Sequence, residues 1–262
     1  ERWVVQSLWM AAVLLFLVVC GLRAEPLART TAHGDSSGVG WFQLGGLLAL
    51  SGLLFGWRSL QPPTLIDEPL AHWGLEALAL LRGNQHQLFA GNTAVGPFAL
   101  APLALMMGVT GDPFLGLRLT GMLAALLTVL AVWLLASELF RRTPVIGPYD
   151  ETVEDSGQSI ARWAPLLTAT STVIVHYSRL PIYLEPVAWG LLGLWALLRA
   201  WRTQDGLAAG LSGVLIGLAL LLYPSGVVFL LVALGWWIGG WGFQPRWRPR
   251  PTRRAGRFFR AR

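Results

Sequence analysis

Residues 113–140 read PFLGLRLTGMLAALLTVLAVWLLASELF, a mostly apolar run with one internal arginine, Arg118, and one acid, Glu138. A helix needs roughly 20 apolar residues to cross about 30 Å of hydrocarbon, so this run is long enough to span a membrane. Its apolar residues are continuous and do not alternate with polar ones, which argues against a barrel strand. Arg118 lies several residues inside the predicted span, where a charge is costly unless it is paired or faces a cavity. We therefore treat it as a candidate functional residue.

The rest of the chain has the same apolar character. Of the 262 residues, 54% are hydrophobic and 13% are charged, whereas a soluble domain carries about 25% charged residues. This composition excludes an ordinary soluble enzyme and predicts an all-α polytopic membrane protein with one transmembrane domain, residues 1–241. The seven predicted spans are 3–22, 41–57, 113–140, 163–176, 183–200, 206–222 and 227–241. We expect the first span to be a retained helix, because it is too long for a signal peptide and no A-x-A cleavage site follows.

The longest predicted loop, residues 58–112, contains two apolar segments that are not predicted to cross. The first is residues 68–81, which has an apolar face and a polar face, as is typical of an amphipathic helix lying at the membrane interface. Its apolar face comprises Leu70, Trp73, Ala77, Leu78 and Leu81. The second segment, residues 95–109, contains two prolines, and we expect it to form a re-entrant or interface-lying helix.

Arginine counting gives the expected orientation. All 20 basic residues are arginines, and placing loop 58–112 outside leaves fifteen of them on the inner side and five on or near the outer side. Cytoplasmic segments carry an excess of basic residues, so we expect a multi-pass protein of the inner (plasma) membrane of a bacterium. The arginine-rich tail, residues 242–262, is then cytoplasmic. It follows a span directly and interleaves aromatic residues with arginines, which favours contact with anionic lipid headgroups over nucleic acid.

This orientation gathers several polar residues on the outer side, and some of them have a structural alternative. They are Asp67, Glu68, Arg82, Arg118, Arg179 and Glu185. Asp67 fits a helix N-cap, and Arg179 with Glu185 fits an ion pair at a helix end. His72 and Glu76 stand four residues apart on one helix face, but no further ligand set is clustered with them. A solvated face explains that pair better than a metal site.

Two further patterns receive structural interpretations. Gly206, Gly210, Gly213 and Gly217 form a smooth stripe on one predicted helix, which is typical of a close helix-packing face. Four acidic residues between positions 150 and 155 lie in an inner loop, residues 141–162, which we expect to be solvated and irregular.

The order of short motifs along the chain resembles a known family. The motifs are LIDEP at 65–69, LRG at 81–83, GDP at 111–113, LRL at 117–119, HYSR at 176–179 and GLAAGLSGVLIGLALLLYPSG at 206–226. Over about residues 67–231 their order and spacing between spans resemble the GT-C type membrane glycosyltransferases. The resemblance is to the branch that contains protein O-mannosyltransferases and aminoarabinose transferases.

The resemblance implies an inverting glycosyltransferase that moves a sugar from a polyprenyl-phosphate donor to an acceptor at the outer membrane face. It implies that Asp67 is the catalytic base and that Glu68, beside it, orients it. The implied phosphate- and substrate-binding residues are Arg82, Arg118, Arg179 and Glu185. Arginine suits this role because its guanidinium binds phosphate oxygens in a bidentate fork and stays charged beside lipid. We expect neither a metal nor another cofactor.

Members of that family carry further spans after the matched region, so this sequence corresponds to their N-terminal membrane half. It is either a fragment of a longer protein or a shortened member. A second hypothesis follows: the chain is a non-catalytic membrane subunit of a larger complex, with membrane lipids and other membrane subunits as its partners. A transporter fits less well, because no pair of broken helices recurs in two halves of the chain.

Overall fold

The described part of the chain, residues 37–57, 68–83, 97–140, 151–180 and 182–243 of a computed structural model, contains nine α-helices. In chain order they are α1 (Ser37–Gly56), α2 (Glu68–Leu81), α3 (Pro97–Thr110), α4 (Pro113–Leu139), α5 (Glu151–Thr170), α6 (Thr172–Tyr177), α7 (Glu185–Thr203), α8 (Gly206–Leu222) and α9 (Val227–Phe243). A 3₁₀ turn, Pro224–Gly226, joins α8 to α9. These ranges contain no strand, which confirms the all-α prediction.

Several helix boundaries lie where the sequence predicts them. Helices α2 and α8 begin and end at the predicted residues, and α4 ends one residue before the predicted 140. Side-chain caps account for two of the starts. The carboxylate of Asp112 accepts a hydrogen bond from the backbone N–H of Phe114 at 2.8 Å, and that of Asp205 accepts one from Leu207 at 2.9 Å.

Among the described helices, α4 alone is long and apolar enough to cross a membrane, with 27 residues and a mean hydropathy of 2.3. Five other apolar helical segments are 10–17 residues long. The predicted first span, 3–22, and residues 244–262 of the predicted tail lie outside the described residues. Helix α9 runs two residues past the predicted end of the transmembrane domain at 241. The number of spans therefore stays a prediction.

The helices in the region of the predicted fourth span, 163–176, and of the loop before it have other boundaries than predicted. Helix α5 begins at Glu151, well before the predicted 163, so three of the four acidic residues, Glu151, Glu154 and Asp155, belong to its first turns rather than to an irregular loop. The predicted span is also interrupted at Ser171, whose backbone is extended with ψ 126° and separates α5 from α6.

Helix α4 lies at the centre of the fold, packed against α1, α3, α5 and α7. Small residues dominate its buried face: Gly116, Thr120, Gly121, Ala124, Ala125, Thr128, Ala131 and Ala136. The two buried threonines donate to carbonyl oxygens one turn earlier at 2.8 Å, so their hydroxyls need no other partner. Small residues allow helix backbones to approach closely. At Gly116, an added Cβ would lie 2.7 Å from Cγ of Met107 on α3.

The glycine stripe predicted as the packing face of α8 is wrong for two of its members. An added Cβ at Gly213 or Gly217 would meet nothing within 4 Å. The face that packs against α7 instead includes Ser212, whose hydroxyl donates to the carbonyl oxygen of Gly193 at 2.9 Å. At Gly193 an added Cβ would lie 2.6 Å from Cγ1 of Ile216. The close approach therefore uses a glycine on α7, because the neighbouring helix decides which side of α8 is covered.

The two ends of α4 have different surroundings. At its N-terminal end, α2 and α3 form an apolar cluster with Leu117 that includes Leu70, Ala77 and Leu103. At its C-terminal end, Arg202 of α7 donates to the carbonyl oxygen of Leu139 at 3.1 Å and lies 3.6 Å from the Glu138 carboxylate. The helix is roughly 40 Å long at 1.5 Å per residue. Helices α2 and α3 cover its first turns.

Candidate functional site

The turn between α6 and α7 packs directly against the N-terminal half of α4. An added Cβ at Gly121 would lie 2.5 Å from the carbonyl oxygen of Ser178, so the contact requires glycine on α4. Ser178 is buried in this contact. Arg118 lies three residues before Gly121 and shares its helix face, and Arg179 directly follows Ser178. The packing of one glycine therefore brings two arginines together that are 61 positions apart in the sequence.

The guanidinium groups of Arg118 and Arg179 are close enough to repel each other, and Arg118 is partly desolvated. Neither group forms an ion pair with a carboxylate of the described residues. Arg118 is half-buried and Arg179 is exposed, and like charges that lie close together repel each other unless an anion joins them. Guanidinium groups suit phosphate for this purpose, because each offers two parallel N–H donors. Arg118 and Arg179 therefore form a candidate anion site, which we call the arginine pair.

Glu185 opens α7 close to the arginine pair in sequence but does not neutralise it. Its side chain is 5% exposed, and neither carboxylate oxygen has a hydrogen-bond partner. The sequence suggested an ion pair between Arg179 and Glu185, but these two residues, both described, form no ion pair with each other. A buried carboxyl group without a partner costs stability, and such groups are typical of sites kept for a ligand or a proton.

An aromatic cluster lies at the same end of the fold. Tyr183 is its centre, and its ring centroid lies 5.3 Å from that of Trp73, 5.4 Å from Tyr177 and 6.0 Å from Tyr223. Three of the four tyrosines of the chain therefore meet here. These rings come from α2, the end of α6, the turn before α7 and the turn after α8, so the cluster joins four segments of the chain. Sequence reasoning missed this cluster, although each tyrosine lies near a predicted span end.

Ile182, within the same turn, has a strained backbone. Its φ is +81°, a region that β-branched residues rarely adopt, and its side chain is fully buried against Trp73, Leu100 and Leu222. Strain of this kind persists only where surrounding contacts determine the conformation, and it is concentrated at functional sites. The turn that carries Arg179 is therefore held in a fixed shape by its apolar side.

The other predicted site residues are placed less completely. Asp67 lies outside the described residues, and Glu68 is the first residue of α2, with its side chain also outside them. Arg82 is exposed just after α2, where the preceding Leu81 contacts Gly108 of α3. Arg82 forms no ion pair with another described residue. The structure thus brings Arg118 and Arg179 together and leaves the position of the proposed base, Asp67, untested.

The described residues contain no group of three histidine, cysteine or acidic side chains that could hold a metal ion. His72 and Glu76, on α2, lie 3.9 Å apart and are partly exposed. The chemistry that the described site offers is thus binding of an anion by two guanidinium groups. Comparison with protein families, curated proteins and solved structures gives no match to this chain.

Proposed function

We propose that the chain is a polytopic membrane protein with the arginine pair at its outer end. The distribution of side-chain size supports this proposal. Large apolar residues face outward, with Phe42 87%, Leu53 72% and Val109 73% exposed, while the buried positions of α4 are mostly small. Helix association in lipid relies on close packing of small residues, and a soluble protein rarely exposes contiguous apolar surface of this kind.

We further propose that the arginine pair binds the phosphate of a polyprenyl-phosphate sugar, and that the chain transfers the sugar to an acceptor hydroxyl. The single observation that carries this proposal is the contact of Gly121 with Ser178, which brings the segments of Arg118 and Arg179 together. Neither arginine forms an ion pair with a carboxylate of the described residues. A lipid-linked phosphate is the anion that a membrane protein meets at this depth. Of the rings nearby, Tyr177 is exposed, and it suits an interface because tyrosine has an apolar body and a polar edge.

The proposed reaction needs one base and one anion site. The acceptor hydroxyl gives its proton to the carboxylate of Asp67, and its oxygen forms a bond to the anomeric carbon of the sugar. The bond between that carbon and the phosphate oxygen breaks, and polyprenyl phosphate leaves with the electron pair, stabilised by Arg118 and Arg179. Attack from the opposite side inverts the configuration. Glu68 orients Asp67, and Arg82 and Glu185 are assigned to substrate binding.

The test is transfer from radiolabelled polyprenyl-phosphate sugars by the full chain reconstituted in vesicles. We expect Asp67→Asn to lower the rate by about 10²–10⁴-fold, the usual contribution of a general base. Arg118→Gln and Arg179→Gln should each weaken donor binding by about 10- to 100-fold, because a hydrogen bond to a charged group contributes about 1.5–3 kcal/mol. Arg199→Gln, which removes the same charge from the other end of the fold, serves as the control.

Equal rates for wild type and Asp67→Asn would refute the assigned base. Donor binding that is unchanged in both arginine variants, or equally weakened in Arg199→Gln, would refute the phosphate site. The two results are independent, so the anion site can stand if the base assignment fails.

A second candidate function is a non-catalytic membrane subunit. It is favoured by two glycine pairs on the outward faces of α8 and α9, Gly213 with Gly217 and Gly235 with Gly239. An added Cβ at any of the four meets nothing within 4 Å. Glycines four residues apart on an open face are typical of helix association in membranes. Copurification of a stoichiometric partner after mild detergent extraction, without glycosyl transfer by the chain or the complex, would support this function. Recovery of the chain alone would contradict it.

A further inference from the structure

A groove between α1, α4 and α5 lies at the other end of the fold from the arginine pair. Its volume is about 440 Å³, within the range of roughly 300–1,000 Å³ that is usual for ligand sites. Trp133 of α4, which lines the groove, is fifteen residues after Arg118, and this separation is about 22 Å along the helix. The groove is therefore a separate site from the arginine pair.

The lining of the groove combines polar and apolar residues. Gln43 and Arg162 are its exposed polar members. Leu47, Leu50 and Leu166 contribute apolar wall. Arg162 has no carboxylate partner among the described residues. Among the described residues, the groove thus offers Arg162 as a cation beside an apolar surface.

Arg162 and Trp133 lie towards the cytoplasmic side in the proposed orientation. We propose that this groove binds one anionic phospholipid of the inner leaflet, with its phosphate at Arg162 and an acyl chain along the three leucines. Charge complementarity decides this occupant, because an uncharged lipid or an apolar partner helix would leave Arg162 without a counter-ion. Basic pockets between membrane helices are known to bind anionic headgroups. The inference rests on the membrane embedding proposed above and not on glycosyl transfer.

The experiment uses the full chain, purified in detergent and stripped of lipid. It is incubated with equal amounts of phosphatidylglycerol and phosphatidylcholine, and the retained lipids are counted by native mass spectrometry. Wild type should retain one phosphatidylglycerol in preference. Arg162→Gln should lower its retention by about fivefold, the usual effect of one basic residue near an anionic surface, and Arg162→Lys should restore most of it.

Two variants distinguish loss of this binding site from a general effect of substitution on lipid retention. Arg199→Gln removes an exposed arginine of α7 that stacks on Trp195, outside the groove, and should leave retention unchanged. Gly46→Leu fills the groove from α1, where an added Cβ meets nothing within 4 Å, so it should reduce retention without changing charge. An equal loss in Arg162→Gln and Arg199→Gln, or unchanged retention in Gly46→Leu, would overturn the proposal.

A third arm separates a lipid from free phosphate. Excess inorganic phosphate should not displace phosphatidylglycerol, because the apolar wall contributes to lipid binding. Complete displacement would show that the groove binds only an anion, and it would overturn the lipid assignment. Equal retention of the two lipids by wild type would overturn it as well. Failure of sugar transfer at Arg118 and Arg179 leaves this measurement unaffected, so the two proposals fail separately.

Discussion

Gly121→Ala is the most direct perturbation of the arginine pair. The new methyl group would lie 2.5 Å from the carbonyl oxygen of Ser178, about 0.9 Å closer than the 3.4 Å at which ordinary contacts begin. Ser178 is buried, so the turn has little room to retreat. We therefore expect α4 and the turn to separate by a large part of that 0.9 Å, which also moves Arg179 away from Arg118.

The expected change in stability is the difference of two effects. Overpacking of a close contact costs about 1–3 kcal/mol, whereas alanine in place of glycine inside a helix gains about 0.5–1 kcal/mol. The net result for Gly121→Ala is a loss of about 1 kcal/mol in the free energy of unfolding. Gly213→Ala is the matched control, because it makes the same substitution in a helix where the methyl group meets nothing within 4 Å. It should be neutral or stabilising.

The assay combines unfolding in detergent, followed by tryptophan fluorescence, with binding of polyprenyl phosphate to the folded protein. Gly121→Ala should lower both stability and affinity, and Gly213→Ala should lower neither. Parallel changes in the two variants would refute the reasoning, because they would show that the Gly121 contact does not hold the turn. Lower stability with unchanged affinity would separate the contact from the arginine pair.

Three further predictions concern other contacts. Glu185→Leu should raise the free energy of unfolding by about 1–3 kcal/mol, because it removes a buried carboxyl group that has no partner, and a destabilised variant in thermal unfolding would contradict this. A double-mutant cycle of Glu138→Gln and Arg202→Ala should give a coupling of at least about 0.5 kcal/mol, since the pair joins α4 to α7, whereas strict additivity would show that the ion pair contributes nothing. Gly190→Ala should destabilise the fold through contact with the Phe229 ring. In the double variant, Phe229→Leu should recover much of the lost stability. If it recovers none, the Phe229 ring is not the source of the destabilisation.

Features of the fold that depend on neighbouring residues in the sequence could be predicted, whereas features that depend on contacts between separate helices could not. The starts of α4 and α8 are predictable because Asp112 and Asp205 precede Pro113 and Gly206, and capping is a local property. The start of α5 is missed because an acidic, glycine-containing stretch is equally typical of a loop. A prediction of helix faces from spacing alone also fails for α8, since the covered side depends on α7.

The candidate site divides in the same way. Arg118 could be predicted as a functional residue because a charged side chain inside an apolar run is costly. Arg179 could be predicted only as one of several polar residues on the outer side. Their pairing depends on Gly121 touching Ser178, a contact that no local pattern encodes. The positive φ of Ile182 is likewise invisible in the sequence, because isoleucine is among the residues least expected to adopt it.

In the proposed membrane placement, the length of α4 makes the site sensitive to bilayer thickness. Because the helix is roughly 40 Å long and an average hydrocarbon layer is about 30 Å, that placement puts Arg118 near the boundary between lipid tails and headgroups. A sterol-rich or long-chain bilayer, thicker by a few ångströms, would submerge the two guanidinium groups, and a short-chain bilayer would raise them into water. The choice of lipid in any reconstitution is therefore a variable that tunes the site, and a null result in one bilayer would call for a second, thinner one.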